Sequence, residues 1–360
     1  MHLPFKNLKV IEFASVLAGP AVGMFFAELG AEVIKIENKP TGGDVTRTWR
    51  LPSENREKPY SAYFCSVNWQ KTHFFLDLND KNDLEKVLEW VADADIVVSN
   101  FKISSAKTMG VDYESLQKIN PKLIYAQLTS FGEDDESPAF DIVLQAEAGF
   151  LYMSGEAERA PTRMPVALID LLAAHQLKEA ILIALLERTT TGKGAYVTTS
   201  LLESAVASLA NQATNWLMEG HIPERMGSMH PNIAPYGDIF YSSDKKPIVL
   251  AVGTERQFLN LCKVLNISYL VEDSRFSKNT ERVKNRVALR GALQYAMSSF
   301  EQQYLLDAFK SQGVPAGKIR NMQEVFEQPK AQNMILEEKM EDGTISRRVK
   351  TVAFQIIRAS

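Results

Sequence analysis

Asp170 is the residue whose type and place most invite chemistry. It closes the apolar stretch 166–169 and opens a strongly helical one. One reading is a helix N-cap, where an Asp oxygen accepts a backbone N–H. The same place favours the ionised form through the helix dipole and free N–H groups. An ionised carboxylate at a strand-to-helix edge is a competent nucleophile toward a thioester. Both readings stand at this level. His175, five residues on, falls on a different helical face and reads as a partly buried helix residue.

Other chemistries find little support. The five His (His2, His73, His175, His221, His230) accompany no G-x-S-x-G, C-x-x-C or H-E-x-x-H string, so neither a Ser-His triad nor a metal centre is expected. Cys65 and Cys262 sit in apolar surroundings and read as buried reduced thiols. The loop Ala14 to Pro20 is rich in small residues that let backbone N–H groups approach a phosphate. Glu37 stands where a dinucleotide enzyme holds a ribose, but Gly19 and Gly23 are spaced i, i+4 and no G-x-G-x-x-G occurs. Tight helix–strand packing explains that pair as well as an NAD site does. Lys35, Lys39, Arg47, Arg50, Lys71, Lys102 and Lys107 flank these loops, either as solvated cations or around a polyanionic ligand.

The elements that must position these residues follow a regular order. Leu8 to Phe13 reads as a buried strand, Ala21 to Leu29 as a helix with Pro20 at its first position, and Glu32 to Ile36 as a second strand. Strand, helix, strand at this spacing is a parallel βαβ unit. Further strands are predicted at Asp95 to Ser99, Leu123 to Thr129 and Ala195 to Thr199, and helices at Leu84 to Ala92, Leu171 to Arg188 and Leu202 to about Trp216. That succession predicts a doubly wound, Rossmann-like α/β domain. The character changes near Gly220. A long loop from Glu224 to Tyr236, strands near Asp238 to Tyr241 and Ile248 to Val252, and helical segments to about Phe326 predict a smaller α+β domain. The expected division is 1–220 for the large domain, completed by a hairpin in 330–360, and 221–329 for the small one.

A chain of 360 residues fits about two domains. Its 45% apolar and 23% charged residues are those of a globular protein. A net charge of -4 argues against a nucleic-acid binder. The N-terminus does not resemble a signal peptide and no apolar run approaches the roughly 20 residues of a membrane span. A cytoplasmic location is expected.

Taken together, these stretches resemble family III CoA-transferases, the CaiB/BaiF family, over nearly the whole length. The matching strings are LKVIEFASVLAGPAVGMFFAELGAEVIKIE with GGDVTR, then SNFKISSAKTMG, NPKLIYAQLTSFG, FDIVLQAEAGFLYMSG and PVALIDLLAAHQLKEAILIALLERTTTGKG. HPNIAPYG, RFSKNTERVKNR and GVPAGKIRN continue the pattern in the second domain. The resemblance implies an interlocked, ring-like homodimer of two-domain chains. It also implies transfer of coenzyme A from an acyl-CoA to a carboxylic acid. Asp170 corresponds to the family's nucleophile and would pass through an aspartyl anhydride and an aspartyl-CoA thioester. Coenzyme A is then a substrate, and no permanently bound cofactor is expected.

Carried over by position, Val16, Leu17 and Ala18 line the adenine and pantetheine path, and Leu76, Asn100, Phe101 and Met109 also contact CoA. The family's frequent basic residues fall here on Asn38, Thr108 and the neighbourhood of Pro138, none of them basic. Lys39, Lys107 or Arg47 are expected to supply phosphate contacts instead, alongside Asn38. Many members also continue into a Gly-x-His-Thr ending absent from these 360 residues, as in a short branch or a trimmed chain. The nearest rival is an acyl-CoA α-racemase, whose Gly-His-Asp string is matched by Phe140-Asp141, and Phe moves no proton. A dehydrogenase on the same βαβ start and a silent, non-enzymatic member are the remaining readings. The acidic run Glu133 to Ser137 is expected to be a solvated loop; near the pocket it would tend to repel a dicarboxylate.

Overall fold

The computed structural model describes residues 3–340 and 342–357. Its contacts divide the chain into two compact units, one of residues 1–150, 164–222 and 330–360, the other of 151–163 and 223–329.

The first unit is built on six strands: β1 (Lys9–Glu12), β2 (Glu32–Asn38), β3 (Thr72–Leu76), β4 (Ile96–Ser99), β5 (Ile124–Thr129) and β6 (Ala195–Ser200). They form one sheet in the order β3-β2-β1-β4-β5-β6, every pair parallel. The order reverses between β1 and β4, so a crevice opens outside the carboxyl ends of these two strands. Val10, Ile96, Val98, Ile124 and Ala126 face one apolar core, and Ile11, Val97 and Tyr125 face the other. Both faces of the sheet are covered, which is why these strands read as apolar runs rather than as alternating ones. β3 has no counterpart among the predicted strands. THFFL at the sheet edge is half exposed, and its pattern is neither a buried run nor a clean alternation.

Helices depart from expectation in instructive places. The first helix, Ala18–Glu28, begins three residues early and puts Pro20 third rather than first. Proline is tolerated there because first-turn N–H groups have no intrahelical acceptor. Gly19 and Gly23 serve close packing. A Cβ on Gly19 would overlap the Ala14 side chain, and one on Gly23 would overlap the Glu12 carboxylate. The long helix, Leu168–Thr191, ends on Gly192 in the left-handed conformation. The expected helix from Leu202 is two, Leu201–Ala207 and Ala210–Glu219. Ile335–Lys339 and Ile345–Val349 pair as an antiparallel hairpin.

The second unit carries a three-stranded antiparallel sheet, Tyr236–Tyr241, Pro247–Ala251 and Ala316–Lys318, packed with helices around Phe240, Phe258, Leu261 and Phe309. Arg282 is buried there; it donates to the carbonyls of Ala234 and Phe276 and pairs with Glu255 at 2.7 Å. Among the described residues no helix is long and apolar enough to cross a membrane.

Candidate active site

The loop after β1 is held from three sides. Lys35 of β2 donates to the Ala14 carbonyl at 2.5 Å. Asn100, just past β4, takes both polar groups of Ser15: its Oδ1 accepts from the Ser15 N–H at 3.1 Å and its Nδ2 donates to the carbonyl at 3.0 Å. The Val16 N–H donates to the Asp44 carboxylate at 3.2 Å. Val16 has φ +72°, a left-handed conformation that costs a β-branched residue about 1–3 kcal/mol.

Beneath this loop lies a closed lattice of charge. Glu12, the last residue of β1, accepts from Lys35 at 3.0 Å and from Lys71 at 2.8 Å. Lys35 also pairs with Asp44 at 3.1 Å, and Lys71 donates to the Pro20 carbonyl and Asn68. Two acids and two lysines balance, and all four side chains are out of solvent. Burial pushes the Lys71 ammonium down to about 8 despite Glu12. For Lys35 burial pulls the same way, but Glu12 and Asp44 outweigh it and hold its pKa above the ordinary lysine value. These two lysines, grouped in the sequence with cations around a polyanion, are structural.

Glu37 is likewise engaged. It accepts from Arg47 at 2.7 and 2.5 Å, contacts His73 at 2.8 Å and accepts the Asp44 N–H at 2.8 Å. Burial opposes ionisation, yet Arg47 and His73 hold the Glu37 carboxyl well below the usual carboxylate range. Arg47 lies over the Phe64 ring at 3.8 Å and donates also to the Pro59 carbonyl. Its guanidinium is thereby committed to protein partners. Glu37 stands in the wall of a cavity, but its carboxylate is already taken by these protein partners.

Asp170 is the third residue of the long helix, whose N-cap is Ala167; it is not the cap itself. Its side chain lines a cavity of about 620 Å³ with Val16, Leu17, Ala18, Asn100 and Phe101. It is 8% exposed, and among the described residues its carboxylate accepts no hydrogen bond. Asp141 takes the nearby backbone donors instead, accepting from the N–H of Ile169 at 2.7 Å and of Asp170 at 3.4 Å, while Gln145 donates to its other oxygen. Burial, and then the Asp141 charge, push Asp170 up to about 7. The helix N-terminus was expected to favour its ionised form; desolvation and a like charge outweigh the dipole. Tyr63 is pushed up to about 12 by burial and by the charges of Asp170, Asp141 and Asp44, so its phenol keeps its proton. Trp49 meets Tyr63 and Phe140 edge-on at 5.2 and 6.1 Å.

A second cavity of about 620 Å³ shares Ser15, Val45 and Phe101 with the first and is lined by Asn38, Leu76 and Met109. Lys39 borders a separate shallow cleft with Asp77 and Asp80, and Lys107 a small one with Tyr113 and Tyr196. The expected contact residues are therefore gathered around two adjoining cavities, with Lys39 and Lys107 outside both. Glu133 and Asp135 are exposed, as expected of a solvated loop, and with Glu136 they also form part of the first cavity's wall. Their carboxylates accept from Tyr196, Ser137 and Ser104 respectively. Tyr63 and Trp49 carry no local mark in the sequence, and Asp141 enters there only as the counterpart of a racemase's Asp. Its meeting with Asp170 spans 29 residues of sequence.

Known proteins carry the same fold and sequence pattern. The sequence model described as CoA-transferase family III matches residues 5–358. Succinate–glutarate CoA-transferase of Agrobacterium fabrum is 36% identical over 356 residues, 97% of this chain and 88% of that protein. Acetyl-CoA:oxalate CoA-transferase of Acetobacter aceti is 36% identical over 343 residues, 92% of this chain and 85% of that protein. The crystal structure of a CaiB/BaiF family protein from Brucella suis superposes with a TM-score of 0.86 at 36% identity, covering 99% of this chain and 93% of that one.

Proposed function

The chain belongs to CoA-transferase family III, and on that premise we propose that it moves coenzyme A from an acyl-CoA to a free carboxylic acid, with Asp170 as the nucleophile. The observation that carries the assignment is the Asp170 carboxylate itself: buried, without a hydrogen-bond donor among the described residues, and facing a cavity large enough for a thioester.

The chemistry balances without a proton donor. An Asp170 oxygen attacks the thioester carbonyl; the C–S bond breaks, leaving an aspartyl anhydride and CoA thiolate. The thiolate attacks the Asp170 carbonyl, releasing the donor acid and leaving an aspartyl-CoA thioester. The acceptor carboxylate attacks that thioester and expels the thiolate, which then attacks the acceptor carbonyl and frees Asp170. Each step exchanges one acyl bond for another. A carboxylate with few hydrogen bonds is the better nucleophile, which gives the bare environment of Asp170 a purpose.

Val16, Leu17, Ala18, Asn38, Leu76, Asn100, Phe101 and Met109 are proposed to contact CoA, on their place around the two cavities. Lys39 and Lys107 are proposed to approach its phosphates from their margins. The same reading includes a self-associated, interlocked dimer, in support of which the long helix leaves Ile183 and Leu186 exposed. Mass spectrometry tests the reaction. The protein is incubated with acyl-CoAs and free acids in deuterated water, with succinate, glutarate and oxalate heading the panel on the relatives' names. New CoA thioesters are expected. Deuterium at an α-carbon without exchange would instead indicate a racemase.

The Asp170–Asp141 pair also sets a pH profile. Only ionised Asp170 attacks, so turnover is expected to rise with pH through about 7 and level above it. Asp141→Asn removes the like charge but leaves the burial. Its rising limb should move to lower pH, as a rate profile of both proteins would show. An unmoved limb would mean that another group titrates.

A further inference from the structure

We infer that Asp44 is a positioning residue for coenzyme A, acting through the backbone of Val16; the inference rests on the proposal that the two adjoining cavities hold this substrate. Asp44 is 4% exposed and its oxygens are fully engaged. One accepts from the Thr46 N–H at 3.0 Å and the Thr46 hydroxyl at 2.7 Å, and the other pairs with Lys35 at 3.1 Å. The Val16 N–H, at 3.4 and 3.2 Å from the two, completes the set.

That last contact links a buried ion pair to a strained backbone. Val16 at φ +72° is unusual, since a β-branched side chain disfavours the left-handed region. Released, it would fall back toward an extended or right-handed conformation. The peptide between Ser15 and Val16 would turn with it, and that peptide borders both cavities, through Ser15 in each and Val16 in the first. The Asn100 clamp fixes Ser15 and the Lys35 contact fixes Ala14, so Asp44 holds the third and only strained residue of the set. The negative charge suits the task, because a carboxylate accepts an N–H more strongly than a neutral group does. Lys35 balances that charge and in turn leans on Glu12, so the acceptor is held in place by the lattice below the loop.

Glycine separates this role from that of a mere ion partner, because it adopts positive φ without steric cost. Four proteins are compared: wild type, Asp44→Ala, Val16→Gly and the double variant. CoA affinity is measured by calorimetry, and KM for acyl-CoA alongside kcat. Asp44→Ala is expected to weaken CoA binding about tenfold or more, as release of one strained residue allows, and to raise KM more than it lowers kcat. In the Val16→Gly background the same change should cost less than about threefold, a clear departure from additivity. Equal losses in both backgrounds would overturn the inference and leave Asp44 as the partner of Lys35 or as a direct part of the second cavity's wall. A wild type that binds no CoA would remove the underlying reading and the inference together, whereas coupling in affinity would survive even if Asp170 proved not to be the nucleophile. Far-ultraviolet dichroism and melting confirm folding. If Asp44→Ala does not fold, Asp44→Asn replaces it, keeping the shape with a weaker acceptor, and the same non-additivity is required.

Discussion

Asp170→Ala is expected to lower exchange by about 10⁴-fold or more, the scale on which a covalent nucleophile is lost, while the protein stays folded. The second half of that expectation comes from the physical state of the residue. A carboxyl whose pKa lies at about 7 in the fold and near 3.8 outside it binds more protons folded than unfolded between those values. Stability therefore falls as pH rises from about 4 to 7, and the full cost is present above 7. At about 1.4 kcal/mol per pKa unit, ionising Asp170 costs the fold on the order of 4 kcal/mol. Asp170→Asn keeps the shape and removes the charge. It should therefore be inactive yet melt higher than wild type at pH 8, with the advantage shrinking toward pH 4. Exchange assays and melting curves at the two pH values check both halves. A variant that retained exchange would exclude Asp170 as nucleophile; one that lost exchange by melting would assign it a structural role.

The reasons why Asp170 was legible and its surroundings were not are physical. An acid at the junction of an apolar stretch and a long helical pattern is a local signal. The cage around it is not: Trp49, Tyr63 and the Phe140-Asp141 pair come together from three segments, of which only the last carries a local mark, and that for another reaction. The strand order was within reach because apolar runs separated by helices admit few right-handed windings. The edge strand β3 was not, since half its side chains face out and β-propensity is weak at an edge. Lys35 offered a clue that composition hides. It interrupts the run VIKI inside a parallel strand, where both faces are covered, so a lysine there has to meet an acid. Gly23 offered the matching clue: a glycine within a helix is unfavourable by about 1 kcal/mol, and here it makes room for the acid that Lys35 meets. Each was visible alone. Their meeting at Glu12 is a tertiary fact.

Glu12 should accordingly be among the most costly residues to replace. It bridges two buried ammonium groups, so Glu12→Gln leaves Lys35 and Lys71 facing an amide with only Asp44 to balance them. Breaking a buried pair from one side costs about 3–5 kcal/mol, a large part of the 5–15 kcal/mol that typically holds a fold together. The sign of its pH dependence follows from Lys71. Burial already holds that ammonium down to about 8, and losing Glu12 removes the charge that opposes this. In the variant the fold sheds the Lys71 proton at lower pH than the wild-type fold does, so the deficit against wild type should shrink as pH rises from 7 through about 8 and level off above it. Removing the neutral pair together provides the contrast. Glu12→Gln with Lys71→Met leaves Lys35 matched to Asp44 and should recover most of the loss, since replacing both members of a buried pair is far milder than orphaning one. Urea unfolding of the three proteins at pH 7 and pH 9 measures this directly. If the double variant were no more stable than Glu12→Gln, the cost would lie in packing beneath Gly23 rather than in unbalanced charge.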